Sequence, residues 1–575
     1  MKKRPAPVPV LDHSTQRQNK SVQVQAVWAV SLLVCFPIVL AIMNPRWTFT
    51  PLNYIDAWVY FGYFRHLVSY KSAIFPNLYY GSRLPWILPG YVAYSWFQPK
   101  VANYVLHFAF YYLAIFSMYD LLRRAVGARS ALIGALLFGG HGPFLWAIGW
   151  DYVDGAGCTY FLVAMAAVAR ATRERSRLWL VICGMSAACM CYTNLFLVVF
   201  LPFFPALYLF IRFRGWTFRS IGLAIEWLIW CGLGASVISV ALGAINYRID
   251  GNFWFYSPSF RYALSVYKQA NPWRTFGWEW MMRAYWLVVP TATFVASLGW
   301  IGFAFFRRTL KCGDYRSYFV LQFLAVAAGM LLWKTLGSTG LSLFFYASYM
   351  IPSMFLAIGS ILSGTEDRWG APYGWILALL TFVVLAMALR YSNAQFEQWL
   401  RAKLSLPVVM LLVALSLLSN VVFHRKWRLA AIAIAGLALY ETTYNGLDAP
   451  SPAYEREWLN TVEGADRLWA NEQKQVLLFW YNANGPHGLE IYAINAIYLW
   501  GYTYVGTNFP ATEYPGRLLA GRAIAMLSGT GDWLGKVNDV LHRNHLEGTI
   551  AETFPVGHGA ESFQISVVKL AEYRH

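Results

Sequence analysis

Apolar runs of about 17 to 22 residues, each long enough to cross a hydrocarbon core, recur along the chain from Val27 to about residue 445. The pattern predicts about thirteen membrane spans, at 27–43, 102–122, 130–148, 156–170, 177–194, 195–212, 221–244, 285–305, 317–333, 343–362, 373–389, 406–422 and 429–445. After residue 445 the long runs stop and shorter periods take over. Gln475–Tyr481 and Phe563–Val568 read as strands, and 454–472, 515–528 and 532–543 have helical spacing. The expected fold is therefore a polytopic α-helical membrane protein with a C-terminal soluble α/β domain. Its parts are a cytoplasmic tail (1–24), a membrane module (25–445) and a terminal domain (446–575).

Composition agrees with that pattern. The chain of 575 residues is 58% hydrophobic and only 13% charged, against roughly 25% charged in soluble proteins. Its first 24 residues lack the features of a cleaved signal. The net charge of +18 is a topology signal. Basic residues crowd the N-terminal tail and the connections at 121–124, 170–177, 212–214, 306–308 and 424–428, which places all of these in the cytoplasm. The loops at 44–101, 149–155, 245–284, 334–342 and 390–405 then face outward, and thirteen crossings put the C-terminus outside too. A bacterial inner membrane with a periplasmic terminal domain fits this layout. Of the 46 basic and 28 acidic residues, 9 and 14 lie between Thr442 and His575, so the tail alone is acidic. No soluble basic face offers itself to nucleic acid. All seven cysteines precede the tail, and none has metal-ligand spacing with histidine.

Polar chemistry gathers on the outward side. Asp56 directly follows the first span, where a carboxylate with no role is a net cost. That cost is about 2.5 to 3.5 kcal/mol at mid-membrane and less at the interface. The loop 44–101 is far longer than a connection needs, and Trp58, Phe61, Phe64, Val68 and Tyr70 suggest a helix lying in the membrane interface. Arg83, beside Tyr79 and Tyr80 and near Ser82, is placed to bind an anionic head group. Asp151 and Asp154, three apart, can share one helical face. There they would orient an acceptor, or Asp154 would join Asp56 around a divalent cation such as Mg or Mn. Lys334, followed by Thr335, Gly337, Ser338 and Gly340, offers charge and backbone N–H groups to a phosphate. Each position also has a plainer reading: helix capping for the aspartates, lipid contact for Arg83, snorkelling for Lys334. Glu226 is the clearest charge inside a span.

The layout resembles the GT-C superfamily of integral membrane glycosyltransferases, and most closely the protein O-mannosyltransferases and the lipid A aminoarabinose transferase. The resemblance rests on Asp56 with Trp58 and Tyr60, on Tyr79, Tyr80, Ser82, Arg83 and Pro85, and on Asp151 and Asp154, within an architecture that spans nearly the whole chain. It departs from the O-mannosyltransferases in having Ala57 where they place a Glu after the Asp. What it implies is transfer of a sugar from a polyprenyl-phosphate donor to an acceptor hydroxyl on the outer face, with inversion. Asp56 would be the general base; Arg83, Lys334, Ser338 and Tyr80 would hold the donor phosphate; the acceptor would be a lipid, glycan or protein. An O-antigen-type polymerase or ligase, and a transporter or flippase of lipid-linked sugars, remain alternatives.

Overall fold

The computed structural model describes residues 13–74, 78–212, 218–268, 285–306, 308, 310–335, 344–362, 371–390, 452–470, 476–481, 487–498, 502–505, 524–528, 539, 541–542, 545–557 and 562–572. Helices α1 (His13–Met43), α2 (Ile55–Ser69), α3 (Leu84–Trp96), α4 (Pro99–Val126), α5 (Ala128–Gly139), α6 (Gly142–Gly149), α7 (Val153–Glu174) and α8 (Arg177–Thr193) open the chain. They are followed by α9 (Phe203–Arg212), α10 (Phe218–Asp250), α11 (Ser257–Lys268), α12 (Val288–Phe306), α13 (Tyr315–Thr335), α14 (Ile351–Leu362) and α15 (Ala371–Arg390). Six helical stretches among the described residues are long and apolar enough to cross a membrane, or seven if the α5–α6 pair, bent by 63° at Gly140–His141, counts as one broken span. This is a multi-pass membrane protein. Of the thirteen expected spans, those at 27–43, 177–194, 343–362 and 373–389 coincide with apolar helical stretches of 10 to 17 residues. Those at 406–422 and 429–445 lie outside the described residues.

Small residues let the spans approach closely. A side chain at Gly184 of α8 would meet the Cys231 carbonyl oxygen of α10 at 1.9 Å, and one at Gly234 of α10 would meet the Val181 carbonyl oxygen of α8 at 2.0 Å. Packing rather than hydrophobicity binds helices in lipid, so two backbones that touch hold this pair. Glu226, read as a charge inside a span, sits near the start of α10. It pairs with Arg177 and Arg212 at 3.7 Å each and accepts from the Tyr208 hydroxyl at 3.2 Å. Its partners come from the basic connections, so it belongs to that end of the bundle.

The loop 44–101 folds back into the protein instead of lying on the membrane. Every residue of α2 from Ala57 to Phe64 is buried. Of the expected lipid-facing set, only Val68 is exposed, while Trp58, Phe61, Phe64 and Tyr70 are buried. The reason is in the sequence: Ala57–Phe64 contains no charged residue, so no face suits water, and a helix apolar all round is an internal one. α2 kinks at His66 (φ −136°, ψ 40°) and runs on into a π-turn, Tyr70–Ile74.

The C-terminal part holds α16 (Pro452–Ala470), β1 (Val476–Tyr481), α17 (Gly488–Tyr498), β2 (Tyr502–Val505), β3 (Ile524–Ser528), β4 (Leu546–Val556) and β5 (Phe563–Glu572). The sheet runs β2-β1-β3-β5-β4, parallel across β2-β1-β3 and antiparallel beyond. The helix and the two strands read in 454–472, 475–481 and 563–568 are present. Residues 524–528, expected to close a helix, form a central strand instead. Most of 506–523 and 529–540 lies outside the described residues. α16 and α17 pack on the first loop. Trp458, 1% exposed, sits among Phe49, Trp58 and Phe61 at ring distances of 5.4, 6.5 and 5.8 Å. Arg65 makes a two-point pair with Asp466 (3.3 and 2.8 Å), His66 stacks on Trp469 at 3.7 Å, and Tyr70 donates to the Ile497 carbonyl.

Candidate functional site

Asp56 occupies the first turn of α2, where the free N–H groups and the dipole of a helix favour a carboxylate. It is half-buried, and the Tyr80 hydroxyl donates to its Oδ1 at 2.6 Å. Burial, then the charge of Asp56, pushes the Tyr80 phenol far above its ordinary range, so Tyr80 stays protonated and always donates.

Tyr80 and Arg83 come from the 3₁₀ turn Tyr79–Ser82 and the residue after it. That turn is anchored three ways. Lys71 donates to the Gly81 carbonyl at 2.8 Å and pairs with Asp250 at 3.4 Å; Ser82 bonds Ser259; and the Tyr79 ring stacks on Tyr262 at 4.1 Å, nearly parallel at 3°. The Arg83 guanidinium then lies 5.1 Å from the Tyr79 ring and donates to the Tyr60 hydroxyl at 2.5 Å. Tyr60 is one turn along α2 from Asp56, so carboxylate and guanidinium are presented by a single scaffold.

Asp154, in the first turn of α7, is 2% exposed. It accepts from the Tyr349 hydroxyl, which in turn accepts from Asn194 Nδ2 at 2.6 Å. It lines a small cavity with Pro143, Trp146, Trp150, Tyr152 and Ser348. Asp56 and Arg83 are near enough for their charges to act on Asp154. Tyr54, whose ring is 4.6 Å from Trp150, has its phenol pushed up by burial and then by Asp154 and Asp56.

Asp151 is set apart from this cluster. It precedes α7, whose first residue is Val153, so the two acids do not share a helical face. Its carboxylate is fully buried: Oδ2 accepts from Thr50 Oγ1 at 2.7 Å, its own N–H donates back to Thr50 at 3.1 Å, and His107 Nε2 stands 3.2 Å from Oδ1, off the line of a hydrogen bond. Lys334 is buried in the last turn of α13. Its neighbour Trp333 stacks on Phe196 at 4.0 Å, and Phe196 stacks on Tyr349 at 5.4 Å, which leads back towards Asp154. Ser338 lies outside the described residues.

Lys71, Asn194 and Tyr349 were not among the expected site residues. Asn194 caps a helix break through its side chain, and Tyr346 and Tyr349 are three apart in an apolar stretch; both are faint signals. Among the described residues no three His, Cys, Asp or Glu side chains gather as a ligand cage.

Fold and site together define a multi-pass helical protein with a carboxylate–tyrosine–arginine cluster within a folded first loop. No protein-family model and no curated protein sequence matches the chain. Solved structures do. The crystal structure of ArnT from Cupriavidus metallidurans bound to undecaprenyl phosphate superposes with a TM-score of 0.51 at 14% identity, covering 95% of this chain and 99% of that one. Its apo form gives 0.48 at 16% identity, covering 94% and 98%. The oligosaccharyltransferase AglB from Archaeoglobus fulgidus, in complex with an inhibitory peptide and a dolichol-phosphate, gives 0.39 at 13%, covering 87% and 69%. The first of these carries the argument, and it is an argument about fold: this chain shares the fold of ArnT.

Proposed function

We propose that this chain is a membrane glycosyltransferase that moves a sugar from a polyprenyl-phosphate donor to an acceptor hydroxyl. The observation that carries this reading is Asp56, held by Tyr80 at 2.6 Å beside a tyrosine-clasped Arg83, in a chain with the fold of ArnT, a protein crystallised with undecaprenyl phosphate. Asp56 takes the proton of the acceptor hydroxyl as its oxygen attacks the anomeric carbon. The bond from that carbon to the phosphate oxygen breaks on the opposite side, with inversion, and the electron pair leaves on the phosphate. A phosphate leaving group needs compensating charge more than a proton, and Arg83 supplies it, with Lys334 and Ser338 as further phosphate-binding groups. Asp154, fixed by Tyr349, orients the acceptor, a lipid, glycan or protein. A divalent cation, if bound, would be held by Asp56 and Asp154 and would add charge at the phosphate; chelation tests for it.

This reading places the cluster on the outer face of a bacterial inner membrane. The N-terminal tail is then cytoplasmic, the membrane module spans 25–445 with about thirteen crossings, and residues 446–575 form a periplasmic domain over the site. The test is sugar transfer from a panel of polyprenyl-phosphate sugars by purified protein, with Asp56→Asn alongside. The expected result is a variant that binds donor and has lost about 10²- to 10⁴-fold in turnover, the usual worth of a general base. Equal turnover by the variant would remove Asp56 from the chemistry. Failure of the wild type to bind any donor would favour a transporter.

A further inference from the structure

At the far end of α4 and α7 from the candidate site, one carboxylate is shared by three arginines. Asp120 accepts from Arg124 at three contacts (Nε 3.2 Å and Nη2 3.0 Å to Oδ2, Nη2 3.2 Å to Oδ1), from Arg170 Nε at 2.9 Å and from Arg123 Nη2 at 3.4 Å. Three guanidinium forks carry many more N–H donors than one carboxylate has lone pairs. The surplus is visible: Arg124 has a side chain only 6% exposed, yet its Nη1 is buried with no hydrogen-bond partner among the described residues. Such a buried charged donor is costly unless something answers it. The net charge of the four groups is +2. Arg123 and Arg170 remain 46% and 37% exposed, so the cluster opens outward.

The depth of the cluster says what can reach it. Asp154 and Arg170 lie at opposite ends of α7, about 24 Å apart along the helix axis, so the arginines sit near the opposite head-group level. Arg170 lies 4.6 Å over the ring of Trp179, an aromatic of the kind that marks the membrane interface. Arg316 is already spent on the Ala125 carbonyl at 2.9 Å, closing the end of α4. A planar guanidinium with free N–H edges fits phosphate oxygens in pairs.

We propose that Arg123, Arg124 and Arg170 around Asp120 form a binding site for a phosphate monoanion or diester, filled in the membrane by the head group of an anionic lipid of the leaflet opposite the candidate active site. It is independent of the glycosyltransferase reading.

The test uses the full chain, delipidated in detergent and examined by native mass spectrometry with phosphatidylglycerol or phosphatidylcholine of identical acyl chains. Phosphatidylglycerol is expected to be retained at least about tenfold better, because basic residues at the membrane surface favour anionic head groups. The double substitution Arg123→Gln and Arg170→Gln should bring it to the level of phosphatidylcholine. Should the double variant not fold, Arg123→Gln alone, which gives up only the 3.4 Å contact, should still lower retention several-fold. Competition by millimolar inorganic phosphate would assign the site to free anions; its absence would assign the site to lipid. Equal retention of the two lipids by the wild type, or undiminished retention of phosphatidylglycerol by a folded variant, overturns the proposal.

Discussion

Replacing Thr50 with valine separates a structural role for Asp151 from a substrate-handling one. The substitution keeps the shape and removes the hydroxyl that both donates to Asp151 Oδ2 at 2.7 Å and accepts from its N–H at 3.1 Å. A hydrogen bond to a charged partner contributes about 1.5 to 3 kcal/mol and a neutral one about 1. Asp151 is fully buried, so water cannot step in. The loss should therefore be about 2.5 to 4 kcal/mol. Equilibrium unfolding in mixed micelles, with dodecyl sulfate as denaturant, measures it against the wild type. The surviving folded protein should keep its affinity for acceptor, because Thr50 and Asp151 tie the first loop to the start of α7 and stand apart from the Asp56 cluster. A change under about 0.5 kcal/mol, the size of an ordinary surface substitution, would refute the structural assignment. An unchanged stability with a raised acceptor KM would return Asp151 to the acceptor-binding groups.

Further outcomes follow from other contacts. A Cβ at Gly149 would lie 1.4 Å from the Trp47 carbonyl oxygen. Backbone cannot yield as a side chain can, so Gly149→Ala should cost at least about 3 kcal/mol, measured in the same micelles. Lys71→Met keeps volume but releases the Gly81 carbonyl that fixes the turn of Tyr80 and Arg83. One charged hydrogen bond of about 1.5 kcal/mol predicts roughly a tenfold rise in donor KM with a smaller change in kcat. Asp466 is pushed above its ordinary range by burial, with Arg65 pulling the other way. A carboxyl raised in the folded state favours folding in acid and loses that contribution as pH climbs through the raised value. Docking of α16 should thus be tighter at pH 4 than at pH 7, and Asp466→Asn should flatten the dependence while changing stability by no more than about 1 kcal/mol. Limited proteolysis of the C-terminal part across this pH range reads both.

What the sequence exposes and what it hides divide along the distance between partners. Spans are local objects, so runs such as 102–122 and 156–170 announce α4 and α7 directly. Asp56, Tyr80 and Arg83 were visible for the same reason, since all three belong to one loop and polar groups stand out against an apolar chain. The partner of Asp154 is 195 residues away in Tyr349, and that of Arg65 is 401 residues away in Asp466. Neither separation leaves a period for a pattern to catch. The reading of α2 failed for a different reason. Choosing Trp58, Phe61, Phe64 and Tyr70 as one face ignored Val59, Tyr60 and Tyr63 between them, which are as apolar and as buried. A helix with no polar side has to be covered by protein, and the covering comes partly from Trp86 and Tyr94 of α3 and partly from Trp458 and Trp469, beyond the last span. The C-terminal part is thus a structural partner of the first loop. It sits on the same helix that presents Asp56 at one end and, through the Tyr70–Ile74 turn, positions Lys71 at the other. A substitution in α16 that loosens Trp458 should accordingly disturb the turn of Tyr80 and Arg83, although no residue of α16 need touch a substrate.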